Sequence, residues 1–397
     1  MSYFKHQLFV LTRILKHLYL LGITELWRQT KLDKTRSQSV ILSVSFNTCA
    51  HLGFDKKRKY QKEILRVLCM DKEGYRKYLT DREHPIPKPE IAEATKMVER
   101  FEAYVKEIGK TLDTATGEEV NEFSKLLIDN RLNTYTNYVA LSRYGHFIKN
   151  MDLYLAVLEL LDGAEVMHVL NERLGEHVGE KKRDEILPTD KLPPLGLPSK
   201  EKVAVTRELL KRMTKVLNPE NRKKVLVDVA HGLPRDFRKT EREKYLKAGN
   251  IDEYLREKRV NAIAELEKHR DEGTLFYNQY ITDDVVNFVK SRPDVLSGER
   301  RGNTIYHTKI PYMVQEYLDA TDDRMKRYYA CHCAWARESI LNDDISVSSE
   351  FCHCSGGFTK QPWEAALDRP LQVDMVKSVL KGDSECSFTI HLPDGVV

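Results

Sequence analysis

Two copies of one tripeptide constrain this chain more than any other feature. Cys331-His332-Cys333 recurs as Cys352-His353-Cys354, and the two units hold four of the seven cysteines in 397 residues. On a strand, successive side chains point to opposite faces, so Cys331 and Cys333 would share one face and His332 the other. The second unit repeats the pattern. Two such strands lying side by side converge four thiols on one face. Four thiolates on a soft, closed face suit Zn²⁺, with an iron–sulfur cluster as the second choice. Buried free thiols packing as small hydrophobes are the plain alternative. C-x-C is a weaker ligand signal than paired C-x-x-C, because chelation from one strand face needs a bend in the strand.

Around these units the chain is long enough for two or three domains at roughly 150 residues each. Charged residues make up 31%, and 64 basic against 60 acidic side chains leave a net charge of +4. That near balance argues against a general nucleic-acid footprint, and with it a zinc ribbon that reads DNA or RNA. The few clustered cysteines, odd in number, fit metal or catalytic thiols in a reducing compartment, which places the protein in the cytoplasm. Residues 8–21 are apolar but carry Arg13, Lys16 and His17. No charge-free run reaches the ~18–20 residues that span a bilayer, and no small-residue cleavage site marks a secretory leader. The spacing of Phe4, Leu8, Leu11, Leu15 and Leu18 predicts an amphipathic first helix, packed on the domain, lying on a membrane surface or serving as a transit peptide.

Further along, residues 40–46 are a short apolar run, strand or buried helix turn, and Lys56–Lys59 opens a basic helix ending near Cys69. His84-Pro85-Ile86-Pro87-Lys88-Pro89 is a rigid connector. Helical stripes follow over 91–108, 118–128 and 133–177, the last with breaks near Asn150 and Gly163. Glu165-x-x-His168 is one fragment of a di-iron carboxylate site without a matching second pair. Pro188, Pro193, Pro194 and Pro198 mark the clearest boundary. The expected organisation is a helical domain over 1–187, a proline-rich linker over 188–199, and a cysteine-rich α/β domain over 200–397. The fold class is α+β, with a mostly helical N-terminal part and a small antiparallel sheet near the C-terminus. Thr304–Ile310 and Cys386–Leu392 read as strands, Val373–Leu380 as strand or helix, Ser355–Phe358 as flexible backbone, and Trp363–Leu367 as a short helix.

The run from Tyr329 to Pro393 contains YYACHCAWAR, FCHCSGGFTKQPWE and SVLKGDSECSFTIHLP. It resembles a family of uncharacterised cysteine-rich bacterial proteins. Members carry C-x-C, then aromatic–C-x-C–Ser-x-Gly–aromatic, then a terminal Gly-Asp-x-x-Cys-x-Phe strand. The terminal pattern is also distantly similar to L-2-amino-thiazoline-4-carboxylic acid hydrolase-like proteins and to 4-vinyl reductase-type domains. The resemblance implies a small α/β domain with an antiparallel sheet, and marks Cys331, Cys333, Cys352, Cys354 and Cys386 as the family's cysteines. Many members add an upstream Cys-Gly-x-x-Cys. The corresponding place here reads Ala230-His231-Gly232-Leu233-Pro234, so a site drawing on both regions is altered or uses His231.

Two functions follow. One is a zinc- or cysteine-dependent hydrolase acting on a small carbon–nitrogen or sulfur-containing substrate. Zn²⁺ held by three or fewer of Cys331, Cys333, Cys352 and Cys354 would activate water or polarise a carbonyl or imine. Otherwise one cysteine would be the nucleophile, with His332, His353 or His307 as its base. Arg337 or Lys360 would hold a substrate carboxylate, Arg337 with the better bidentate geometry. Trp335, Phe358 and Trp363 would wall the pocket or pack the core. The alternative is a non-catalytic small-molecule-binding or sensory protein, in which the four cysteines close a structural zinc site.

Overall fold

The stripe Ile91, Ala94, Met97, Val98, Phe101 and Val105 repeats at three- and four-residue spacing and faces the core of one long helix. This helix belongs to the computed structural model of the chain, which describes residues 70–234, 236 and 238–396. The expectations for residues 8–21, 40–46 and 56–69 lie outside the described residues.

The first helices are α1 (Lys72–Thr80), α2 (Lys88–Glu107), α3 (Gly117–Asp129), α4 (Tyr135–Phe147) and α5 (Met151–Leu161). Local chemistry sets their limits. Pro87 and Pro89 stand at the entry to α2, where a missing N–H costs nothing. The Glu119 carboxylate accepts the Thr116 backbone N–H at 2.8 Å and closes a capping box on α3. Asn150 Oδ1 accepts the Leu153 N–H at 3.1 Å and starts α5. These helices share a core built on Tyr75, Leu79, Phe101, Tyr138 and Leu141.

Next come α6 (Val166–Val178), α7 (Glu180–Ile186), α8 (Ser199–Val216) and α9 (Pro219–Val229). The proline-rich segment between α7 and α8 is fastened down. Ser124 Oγ donates to the Gly196 carbonyl at 2.6 Å, and Asn133 Nδ2 to that of Leu195 at 3.0 Å. Gly196 has φ +83°, and a Cβ there would stand 1.8 Å from the Tyr138 hydroxyl, so only glycine fits. A second core takes Val166, Leu170 and Leu174 from before this segment, and Leu209, Met213, Leu226, Trp335 and Phe351 from after it. The described residues accordingly belong to one compact unit.

The C-terminal part adds α10 (Glu241–Ala248), α11 (Ile251–Glu272), a hairpin of β1 (Leu275–Phe276) and β2 (Gln279–Tyr280), and α12 (Asp283–Ser291). Then follow β3 (Glu299–Arg301), β4 (Thr304–Thr308), α13 (Val314–Asp319), α14 (Asp323–Ala330), α15 (His353–Leu367), β5 (Val373–Lys377) and β6 (Ser387–His391). The four later strands make an antiparallel sheet in the order β3-β4-β6-β5, with Ile305 opposite Ile390 and Tyr306 opposite Thr389. Ile305, Phe388 and Ile390 point from it onto Trp363, Ala366 and Leu367 of α15. The fold is α+β, mostly helical, with two small antiparallel sheets. Among the described residues, no helix is long and apolar enough to cross a membrane.

The backbone around the tripeptides differs from the expected strands. Cys331 ends α14, and the next residues run as irregular chain. Cys352 closes a 3-10 turn in which the Ser348 hydroxyl accepts the Glu350 N–H, and Cys354 lies in the first turn of α15. Ser355–Phe358 is helical rather than flexible. Gly357 is there for proximity: a Cβ would stand 1.7 Å from the Val227 carbonyl oxygen of α9. The helix also runs through Pro362 instead of beginning after it. Packing against α9 outweighs the local breakers.

Candidate active site

Four chain segments meet beside the end of β4. Lys309 and Tyr312 follow that strand, residues 331–337 follow α14, residues 352–358 open α15, and residues 230–232 leave α9. Ala230 and His231 both take left-handed backbone, φ 46° and 59°, ahead of Gly232 at φ 79°. Non-glycine residues in that region cost of order 1 kcal/mol each and persist only where surrounding contacts hold them. Here the His231 N–H points to Cys354 Sγ at 3.2 Å, and its ring packs on Phe358 with centroids 4.9 Å apart.

One hydroxyl joins the segments. Lys309 Nζ donates to Ser355 Oγ at 3.0 Å, and Ser355 Oγ lies 3.1 Å from His231 Nε2. The Lys309 ammonium also stands 5.3 Å from the centre of the Phe358 ring. His332 Nε2 donates to the Ile310 carbonyl at 2.5 Å, and its ring meets Tyr312 edge-on at 5.4 Å.

The five cysteines of the described residues surround the same place, and all are free thiols. Burial pushes the thiols of Cys331, Cys333 and Cys386 up to about 12 and that of Cys354 to about 11. Cys352 is raised as well, by burial and then by the neighbouring thiols of Cys386, Cys331 and Cys333. Cys331 also feels Cys333, Cys333 feels Cys354, and Cys386 feels Cys331. All five are therefore linked as electrostatic neighbours. Burial lowers His231, and takes His332 down to about 3. Cys333, Cys352, Cys386, His231 and His332 nevertheless keep part of their surface uncovered. From their being partly uncovered yet enclosed we infer that they line a cleft between these segments.

Two polar hydrogens already point at sulfur: His231 N–H at Cys354, and the Ser378 hydroxyl at Cys352 at 3.2 Å. Such donors stabilise thiolate and are the usual companions of metal-bound cysteine. Zn–S bonds of about 2.3 Å in a tetrahedron bring sulfurs to roughly 4 Å from one another. Among the described residues, the only trio with ligand atoms within 4.8 Å of one another is Glu176, His177 and Asp228. The donor chemistry of the cysteines thus suits zinc, while their sulfurs stand wider than a tetrahedral site and would have to turn inward. The Glu176 trio is an ion-pair network, since Arg173 lies 2.7 Å from Glu176 and 3.5 Å from Asp228.

The remaining predicted residues have other surroundings. Arg337 is 1% exposed, paired to Glu159, with its guanidinium 4.5 Å from the Tyr312 ring centre and 5.4 Å from that of Tyr328. Its carboxylate partner is thus within the chain. Lys360 is paired to Glu364 and donates to the Leu371 carbonyl at 3.1 Å. His353 has Lys223, Glu350, Lys381 and Asp374 as charged neighbours. His307 of β4 is enclosed, lowered to about 3 by burial and then by Lys258 and Lys309, and its Nδ1 has no hydrogen-bond partner among the described residues. Trp363 and Trp335 are core, and Phe358 lines the cleft. His168 is an exposed helix residue. Sequence reasoning missed Lys309, Tyr312 and Ser355. The available signal was a hydroxyl directly after the second tripeptide.

No protein-family model matches this sequence, and neither the curated proteins nor the solved structures contain a significant match to it.

Proposed function

We propose that the cysteine-lined cleft is a reaction site, and that the protein is a hydrolase acting on a small carbon–nitrogen or sulfur-containing compound, with zinc held by thiols of the cleft. The observation that carries this reading is the meeting of five thiols, His231, His332 and Lys309 in one enclosed place, drawn from segments far apart in the sequence. Packing alone gives no reason to gather so many ionisable groups where burial penalises their charged forms. The thiazoline-hydrolase resemblance of residues 329–393 points the same way.

Three of Cys331, Cys333, Cys352 and Cys354 would hold the metal and leave its fourth position open, with Cys386 beside them. A zinc ion held there would keep those thiols ionised and would supply Lewis-acid polarisation of a carbonyl or imine. The chain's own groups do the rest. Lys309 presents a cation to an electron-rich substrate atom, neutral His231 and His332 offer proton acceptors or donors, and the enclosed walls exclude bulk water.

Elemental analysis of the purified full-length protein tests the metal, together with thiol alkylation before and after chelation. The expected result is close to one zinc per chain and thiols that react only once the metal is withdrawn. A folded protein without metal, whose thiols are unchanged by chelator, contradicts the zinc reading. Zinc in a protein that lacks any hydrolytic activity, and that loses both metal and fold on Cys333→Ser, favours a structural site instead.

A further inference from the structure

We infer that Ser355 is the nucleophile of the cleft, with His231 as its proton acceptor and Lys309 as the fixed charge that stabilises its oxygen. This deepens the hydrolase reading of the same cleft and rests on it, but it does not depend on a metal.

A lysine ammonium has donors only, so Ser355 Oγ must accept at the 3.0 Å contact with Lys309. The hydroxyl keeps its hydrogen and a second lone pair, so at the 3.1 Å contact with His231 Nε2 it donates when the imidazole proton is on Nδ1. In that tautomer Nε2 offers its lone pair to the hydroxyl, and this is the form assigned to His231 here. That is the arrangement a serine nucleophile needs: its hydrogen on a base, and a positive charge beside the oxygen that becomes anionic. Both partners are held. His231 is fixed by left-handed backbone, by its N–H to Cys354 and by the Phe358 ring. Lys309 is fixed by the strand it follows and by the same ring. Ser355 is on the first turn of a long helix and stays partly uncovered.

The reaction balances without an oxidant or a further co-reactant. Ser355 Oγ bonds to the acyl or imidoyl carbon as its proton passes to His231 Nε2, and the electron pair of the C=O or C=N bond moves onto the heteroatom. That pair returns as the bond to the nitrogen or sulfur leaving group breaks, and the leaving group takes the proton from His231. Water then adds to the Ser355-bound carbon and gives its proton to His231. The C–Oγ bond breaks, and Oγ recovers the proton. One water is consumed, and one acid or amide and one amine or thiol are released.

Diisopropyl fluorophosphate, followed by intact mass and peptide mapping of the full-length protein, tests the assignment. One adduct on Ser355 is expected, and none in Ser355→Ala. His231→Asn, chosen because asparagine tolerates left-handed backbone, should slow labelling by about 100-fold or more with the fold kept. Lys309→Met should slow it as well. Wild-type protein that is folded but takes no adduct, an adduct on another residue, or undiminished labelling of His231→Asn overturns the inference. An adduct on Ser355 in protein that holds no zinc upholds the inference while the metal reading fails. Zinc with an unreactive Ser355 does the reverse.

Discussion

Trp335 donates its indole N–H to the backbone carbonyl of Gly163 at 2.7 Å, and so ties the segment after the first Cys-His-Cys unit to the turn that ends α5. The anchoring is reinforced on both sides. Thr206 Oγ1 of α8 donates to the Trp335 carbonyl at 2.8 Å. Lys202, one helical turn earlier, gives its ammonium to the carbonyls of Glu159, Leu160 and Asp162 at 3.3, 3.3 and 3.0 Å, and satisfies the open end of α5. The cleft thus has one wall fixed to the helical part of the chain.

The ion pair of Arg337 with Glu159 belongs to the same anchor. Glu159→Gln leaves a buried guanidinium without its countercharge, and stability should fall by roughly 1–3 kcal/mol in a urea melt. An unchanged midpoint would mean that the tyrosine rings alone suffice for Arg337.

Helix contact behind the cleft gives a sharper contrast. Gly357→Ala drives a methyl group into the Val227 carbonyl and should cost about 3 kcal/mol, or prevent folding. At neighbouring Gly356 the nearest atoms to an added Cβ are Phe388 carbons at 3.4 Å, an ordinary contact. Gly356→Ala should therefore change stability by less than about 1 kcal/mol, since alanine's helix propensity offsets part of any crowding. Equal effects at the two positions would contradict the packing described for α9 and α15.

Acid stability follows from Asp294. Burial tends to raise its carboxyl, but two hydrogen bonds from Arg292, at 2.9 and 2.7 Å, outweigh this and bring it down to about 2. A depressed carboxyl contributes its stability in full above the ordinary value near 4 and loses it as pH falls towards 2. The contribution at neutral pH is about 2 kcal/mol. Asp294→Asn should lower stability at pH 7 and flatten its decline between pH 4 and 2. A variant with the wild-type acid profile would contradict this assignment.

Much of the scaffold was legible because periodicity and caps decide it locally. The stripe of α2, the break at Asn150 and the strand around Ile305 all follow from side-chain spacing. The second tripeptide did not, because Gly356-Gly357 and Pro362 read locally as helix breakers, while the approach of α9 to Gly357 is a tertiary fact. Spacing singled out the four tripeptide cysteines, and the expected strand faces are helix ends and irregular chain instead. Ser355, Lys309 and His231 meet only through folding, since 124 residues separate His231 from Ser355 and 46 separate Lys309 from Ser355. No local pattern encodes such a meeting.

Cadmium titration of the reduced, full-length protein, followed by thiolate-to-metal charge-transfer absorption, tests most directly whether the cysteine cluster is a metal centre. The thiols should take up one equivalent per chain, and Cys333→Ser or Cys354→Ser should weaken or abolish the band while the far-ultraviolet dichroism stays unchanged. A folded protein that gives no charge-transfer band, or a band that these substitutions leave intact, would contradict it.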